Sequence, residues 1–354
     1  MAVAVYESFS SIPDTVAERC SVMAAARFQL SLPWFRNLYD NVYALDASLR
    51  VYAVNDEGGH FLAALFCIVP NGRRQLRSLT NFYSLEYGLS GLEKDAPVDD
   101  IVSELAKCFR TEGWAQIDFR LLFEGDRVQQ ALNLSLKECG FAPEWFFQFE
   151  NWYRNAKASE TFDDYYAARP SRMKNTIKRK GNKLHREHTV RIEIIEESGP
   201  ALNKAVDDYV TIYNRSWKEP EPYVDFMPAM IRLAAREGIL MLGVLYVDDA
   251  PAAAQLWLCE PDGRSVIYKL AYDEAFKSQS VGSVLSKTLF EKAFVDGRAV
   301  EIDYGVGSEG YKKEWLEQQR NMVGVQAINT RSANGVMRLA IRNAKTLIKR
   351  LLRK

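Results

Sequence analysis

The stretch Asp273-Glu274-Ala275-Phe276-Lys277-Ser278-Gln279-Ser280-Val281-Gly282-Ser283-Val284 is the part of this chain best suited to hold a ligand. It follows a strand-like run, 265–272, and opens a helical one, 281–295. There Val284, Leu285, Thr288, Leu289, Lys292 and Ala293 recur at helical spacing until Gly297 stops them. A strand that feeds a Ser/Gly loop into a helix start leaves unpaired backbone N–H groups at the positive end of a helix dipole. That is an anion site, above all for a pyrophosphate. Gly282 lets the backbone approach closely, and Lys277 adds positive charge. The same residues also read as a plain helix start with Ser280 as N-cap.

The second feature that can do chemistry is charge. The formal net charge of the 354 residues is zero, but its distribution is uneven. From Arg169 to Arg191 there are nine Lys/Arg and one acid, Glu187; from Arg331 to Lys354 there are eight Lys/Arg and no acid. Two basic patches on an otherwise acidic body point to an anionic partner: phosphate groups, nucleic acid or a membrane surface. In the first patch the charges surround a thin apolar stripe of Met173, Ile177 and Leu184, so the helix is a surface one. Arg172 and Lys178 are its candidates for holding the phosphates of a nucleotide or a nucleic acid; the bland alternative is a solvated charge run. The second patch reads as a basic amphipathic helix over 333–352, with Met337, Ile341, Ile348 and Leu351 on one side and Arg338, Arg342, Lys345 and Lys349 around the rest. Such a helix docks its apolar side on the domain or rests on an anionic membrane.

Composition bounds the rest. With 47% hydrophobic and 26% charged residues the chain is neither disordered nor fibrous. No apolar run reaches the roughly 18 residues of a spanning helix, and Met1 to Tyr6 lacks the features of a signal peptide. Five cysteines without a C-x-x-C pair, and three histidines, give no metal-ligand or disulfide framework. The expectation is a cytoplasmic protein that needs no metal, peripheral to the inner membrane if the last helix binds lipid.

The elements that must position the loop repeat. In the second half, strands over 243–247, 252–258 and 265–272 precede the helix 281–295, a strand 299–304, a helix 309–318 and a strand 322–329. In the first half, strands over 61–69 and 75–85 precede a helix 98–111, a strand 115–122, a helix 128–138 and a strand 145–153. Gly113 and Gly297 stop corresponding helices. The expected fold is α/β (α+β) with two tandem domains, 1–157 and 158–354, each a mixed sheet flanked by helices. The first-half counterpart of the loop, Leu92 to Asp100, is acidic and lacks the glycine. An anion site therefore belongs to the second half.

This order of elements, with Gln279-Ser280-Val281-Gly282-Ser283-Val284, resembles the GNAT acyltransferases, whose pyrophosphate loop follows Q/R-x-x-G-x-G/A. Val284 departs from that pattern. Over about 172–327 the chain looks like the acetyltransferase family named for cellulose biosynthesis (CelD/BcsL type), itself similar to Fem-type peptidyltransferases with two tandem GNAT domains. The likeness rests on Tyr213-Asn214-Arg215-Ser216-Trp217, Ala271-Tyr272-Asp273, Val281 to Leu285, Ile302-Asp303-Tyr304-Gly305 and Gly310-Tyr311-Lys312-Lys313-Glu314-Trp315.

The resemblance implies an acyl-CoA donor, by default acetyl-CoA, held by Lys277 and Gln279 to Val284. It implies an amine acceptor on a sugar or amino compound, in polysaccharide or cell-envelope biosynthesis. Tyr311 then stands where many GNAT enzymes place the acid that protonates the departing thiolate. Its other reading is a packing partner of Trp315, one turn on. Asp303, at a strand end, is the candidate base or orienting group, or a helix cap; Lys312 matches a lysine at the acyl-transfer centre of Fem-type enzymes. Tyr213, Trp217, Tyr272 and Asp273 are the candidates to wall the acceptor pocket, with core packing the other reading of Tyr213 and Trp217. Two other functions stay open: a Fem-type ligase taking its acyl group from aminoacyl-tRNA on the basic helix, and a non-catalytic scaffold of an envelope polysaccharide system.

Overall fold

The computed structural model describes residues 1–157, 159–307, 309–333 and 335–337. The basic helix expected over 333–352 therefore lies mostly outside the described residues. The strands are β1 (Ala2–Tyr6), β2 (Ala47–Asn55), β3 (Phe61–Pro70), β4 (Gln75–Ser78), β5 (Gln116–Phe123), β6 (Phe141–Asn155), β7 (Val190–Ile195), β8 (Leu240–Val247), β9 (Ala250–Cys259), β10 (Arg264–Tyr272), β11 (Glu301–Val306) and β12 (Gln318–Asn329). The helices are α1 (Asp14–Arg19), α2 (Val22–Ala25), α3 (Leu32–Leu38), α4 (Val98–Thr111), α5 (Arg127–Glu138), α6 (Phe162–Ala167), α7 (Ser171–Glu187), α8 (Pro200–Asn214), α9 (Phe226–Arg236), α10 (Val281–Val295) and α11 (Lys312–Trp315). Among the described residues no helix is long and apolar enough to cross a membrane.

Two compact units emerge: Met1–Phe149 with the chain from Asn321 onward, and Glu150–Arg320. In the first, β1-β2-β3-β4 pair antiparallel in sequence, β4 lies parallel to β5, and β5 pairs antiparallel with β12. In the second, β7-β8-β9-β10 pair antiparallel, β10 lies parallel to β11, and β11 pairs antiparallel with the end of β6. The pairing pattern is the same in both, so the tandem mixed-sheet fold expected from the repeat is present. The final strand of each pattern is exchanged. β12, read as the end of the second half, pairs with β5; the end of β6, read as part of the first, pairs with β11. The units accordingly divide at 149/150 and 320/321 rather than at 157/158.

In the second unit the parallel pairing of β10 with β11 stops after Val266 and Asp303, although the two strands run on to Tyr272 and Val306. A register shift between Ile267 and Lys269 marks where β10 changes course. Past that point the strands have no ladder between them, and backbone and side chains face an opening.

Helix α10 is set against this sheet by close packing. Val281, Leu285, Leu289, Phe290 and Ala293 are buried in one cluster with Met241, Leu245 and Trp257. Gly243 of β8 faces the helix: a Cβ there would stand 2.9 Å from Leu289 Cδ2 and 3.1 Å from Leu285 Cδ1. Phe290 stacks on Tyr165 of α6 and Trp315 of α11 at 5.4 and 4.6 Å, and Trp257 meets it edge-on at 5.0 Å. Trp315 is thus claimed by Phe290, and Tyr311 is not its packing partner. The expected helix 309–318 is only the four residues of α11, because buried Leu316 turns extended and leads into β12.

Gly243→Val would push α10 off β8. We expect about 1–3 kcal/mol of lost stability, since overpacking a dense core forces side chains and backbone aside. Chemical denaturation of both proteins measures it.

Candidate active site

A cleft of about 440 Å³ lies in the second unit, in the size range of small-molecule sites. Leu270, Ala271 and Tyr272 line it from β10 and Tyr304 from β11, beyond the last paired residues of those strands. Ser280 to Ser283 line it from the start of α10, and Trp217, Tyr311, Glu314 and Trp315 complete the walls.

The start of α10 is held open by backbone geometry and a polar floor. Ser280 adopts a left-handed conformation (φ 59°, ψ 34°) and makes no side-chain cap, contrary to the N-cap reading. Its carbonyl receives the amides of Ser283 and Val284 at 3.0 and 3.1 Å. The amides of Val281 and Gly282 stand ahead of the first helical bond, where a helix has no internal acceptor to offer. Below them, Gln255 of β9 donates to the Gly282 carbonyl at 3.0 Å and to the Ser286 hydroxyl at 2.6 Å, and receives the Trp257 indole N–H at 3.2 Å. Ser286 also donates to the Gly282 carbonyl at 3.0 Å and hydrogen-bonds Tyr304. A Cβ on Gly282 would meet Tyr272 at 3.5 Å, ordinary contact, so this position faces the cleft without being sealed.

Of the residues expected to hold a donor, Lys277, Ser280, Val281, Gly282 and Ser283 line the cleft. Lys277 also pairs with Glu274 at 3.2 Å. Gln279 turns away and meets His188 at 3.3 Å. Val284 turns toward α7, 3.8 Å from where a Cβ on Gly181 would stand, and lines a second groove there. Of the expected acceptor wall, Trp217 and Tyr272 line the cleft and pack on each other at 4.5 Å. Tyr213 is buried behind them. Asp273 is a cap, accepting the Ala275 amide at 2.9 Å. Arg172 is exposed on α7 away from the cleft lining, and Lys178 lines the second groove.

Asp303 is not the cleft-facing base the sequence suggested. It is 2% exposed, and both carboxylate oxygens are engaged. Oδ1 accepts from Asn151 at 2.6 Å and from the Gly305 amide at 2.7 Å; Oδ2 accepts from Arg264 at 2.6 Å and from Arg320. Burial opposes its ionisation, but the two guanidinium groups more than offset that and hold the carboxyl well below the usual range. Lys312 is likewise buried, bonded to the carbonyls of Val306 and Gly307 and to Glu309 at 2.8 Å. Burial lowers its amine, and Glu309 only partly compensates. Lys312 thus fastens the turn that presents Glu309 and Tyr311 rather than facing the cleft lining itself.

Tyr311 does face it. The residue is 41% exposed, and its ring meets Tyr304 edge-on at 5.7 Å. Burial first, then the charge of Glu309, raises its phenol, so it keeps its proton at neutral pH. Glu314, a half-buried carboxylate in the cleft wall, is among the site residues that escaped the sequence reading, as are Gln255, Ser286 and Glu309. Among the described residues no Lys or Arg pairs with Glu314. In Lys312-Lys313-Glu314-Trp315 it looks like one member of a solvated charge run; the one signal was its position three residues after Tyr311 on the same helical turn. Among the described residues no cluster of three His, Cys, Asp or Glu side chains is placed to bind a metal.

With this geometry in hand, residues 171–313 match the family model described as "Acetyltransferase (GNAT) domain". No curated protein matches the chain in sequence. Among solved structures, the chain is similar to FemX (TM-score 0.58, 9% identity, 91% of this chain and 97% of that one). It is also similar to the C-terminal domain assigned to a lysylphosphatidylglycerol synthetase of Agrobacterium fabrum (TM-score 0.55, 14% identity, 94% and 96%). A third is a tandem GNAT protein from the clavulanic acid biosynthesis pathway (TM-score 0.50, 10% identity, 92% and 98%). At such identities the structural likenesses speak to fold: a tandem GNAT-type acyltransferase fold.

Asp303→Asn should cost about 1–3 kcal/mol, because it turns one of two fully engaged buried acceptor oxygens into a donor that faces other donors. The sign with pH follows from a lowered folded pKa. The wild-type contribution is present above about pH 4, the unfolded carboxylate value, and is lost as pH falls below it. Denaturant melts from pH 7 down to 3 should show the gap between wild type and variant narrowing with acid.

Proposed function

We propose that this protein is an N-acyltransferase that moves an acyl group from coenzyme A, by default acetyl, to a primary amine of a sugar or amino compound. The observation that carries the reading is the junction of Ser280–Ser283 with the parted strands β10 and β11. Free amides at a helix N-terminus suit a pyrophosphate, and the gap beside them admits an extended arm between strands.

In such a reaction the amine nitrogen forms a bond to the thioester carbonyl carbon as the carbon–sulfur bond breaks. The amine gives up a proton and the departing thiolate takes one. Among the described residues Glu314 is the cleft carboxylate that no Lys or Arg pairs with, which suits it to receive the amine's proton. Tyr311, protonated at neutral pH, is suited to return one to sulfur. Asp303 and Lys312 act by holding the backbone that carries these groups. Involvement in cell-envelope polysaccharide synthesis rests on the sequence resemblance alone.

A second reading, an aminoacyl-tRNA donor, draws on the groove between α7 and α10. Lys174, Lys178, His185 and Lys287 line it together with Tyr166 and no acid. Binding of tRNA there would fall steeply with salt, whereas coenzyme A would leave it unaffected.

Thiol release from acetyl-CoA with a panel of primary amines tests the first reading. Tyr311→Phe should lower kcat about 10²-fold or more, with donor affinity within a factor of about two. Glu314→Gln should lower kcat comparably while the protein remains folded. Wild-type turnover in both variants would remove these roles, and an absence of thiol release with every amine would move tRNA to the front.

A further inference from the structure

Beside the cleft lies a cluster of charges in which only the turn-fastening Lys312–Glu309 pair has a task so far. Lys269 of β10 pairs with Glu221 at 3.0 Å, and Lys312 pairs with Glu309 at 2.8 Å. A third lysine, Lys218, joins them without a counter-ion: among the described residues no carboxylate lies within ion-pair distance of its ammonium. Its Nζ sits between two aromatic rings, 5.6 Å from the Tyr213 centroid and 5.7 Å from that of Trp217. Lys269 approaches the same Tyr213 ring at 5.7 Å from its own position. Three ammonium groups against two carboxylates leave one positive charge uncompensated, and it rests on Lys218.

The stress on that charge is visible. Burial first, then the nearby Lys269 and Lys312, pulls the Lys218 amine down to about 8, while Glu221 and Glu309 restore only part. A half-buried cation held by two ring faces and repelled by two like charges is destabilised unless an anion arrives. The place has an approach: Trp217, the neighbouring residue, is 47% exposed and lines the cleft, as does Glu309. On the donor side Tyr272 stands between Trp217 and Gly282.

We propose that Lys218 is a specificity residue that receives an anionic group, a carboxylate or a phosphate, on the acceptor whose amine is acylated. This rests on reading the cleft as an acyl-transfer site. It narrows the acceptor class to amines that carry a negative charge. Lys218 acts by pairing with that charge; Tyr213 and Trp217 hold it in place, and Lys269 and Glu221 fix its surroundings.

The experiment is an NMR titration of the whole protein carrying ¹³C-dimethylated lysines, with the Lys218 signal identified by its loss in Lys218→Met. Sodium phosphate and sodium acetate are the probes, and sodium chloride at matched ionic strength is the control. The expected result is that phosphate or acetate, saturably, moves the Lys218 titration midpoint up by about one pH unit, as a newly paired charge does. Whichever of the two acts more strongly identifies the group. Prior saturation with acetyl-CoA should leave the effect intact, which separates an acceptor anion from the donor's phosphates. If neither anion moves Lys218 beyond chloride, or acetyl-CoA removes the response, the proposal is overturned. Anion binding at Lys218 together with no binding of acetyl-CoA would sustain this site and sink the acyl-CoA reading instead.

Discussion

Where β10 and β11 stop pairing, a single carboxylate holds four pieces of chain together. Asp303 stands opposite Val266 at the last paired position of the two strands. Its oxygens reach Arg264 on β10, Asn151 at the end of β6, Arg320 at the start of β12 and the amide of Gly305 two residues on. Arg264 is itself shared with Glu260 at 3.0 Å and Glu301 at 2.9 Å, and Arg320 with Glu301 at 3.0 Å. A parallel pair that ends early exposes ladder groups and would be free to slide. A buried and fully bonded ion cluster at the point of parting fixes the register on one side of it and lets the strands separate on the other.

The cleft follows from that constraint. Past Asp303, β11 carries Tyr304 into the floor and the turn fastened by Lys312 brings up Tyr311 and Glu314. Past Val266, β10 carries Leu270 to Tyr272 to the opposite wall. The helix start that faces the gap is set independently, by Gly243 admitting α10 to the sheet and by Gln255 gripping the Gly282 carbonyl. Under the proposed acyl-transfer reading, reactants held between two such rigid supports gain most from orientation. This is the main service a protein renders when the chemistry is one attack and two proton transfers.

Much of this was legible in the residues. The helix 281–295 was read with its observed bounds, because apolar spacing and Gly297 are local signals. The repeated order of strands and helices was legible for the same reason. The exchange of β6 and β12 was not: each strand is locally plain, but its partner lies about 150 to 200 residues away, and alternation does not encode pairing. Asp303 was misjudged for the same cause. An acid at a strand end looks like a cleft residue until Arg264, Arg320 and Asn151 converge on it from distant positions. Glu314 and Lys218 were hidden within charged runs, where only folding shows which charges have partners.

The central claim is that the start of α10 binds the phosphates of an acyl-CoA. Calorimetric titration of acetyl-CoA into the wild-type protein and into Gly282→Glu tests it most directly, because a Cβ there meets Tyr272 only in ordinary contact while the added charge opposes a pyrophosphate. The account predicts saturable binding to the wild type and at least ~100-fold weaker binding to the variant, about 2.7 kcal/mol. Equal affinity in two folded proteins, or no binding to the wild type, would contradict it.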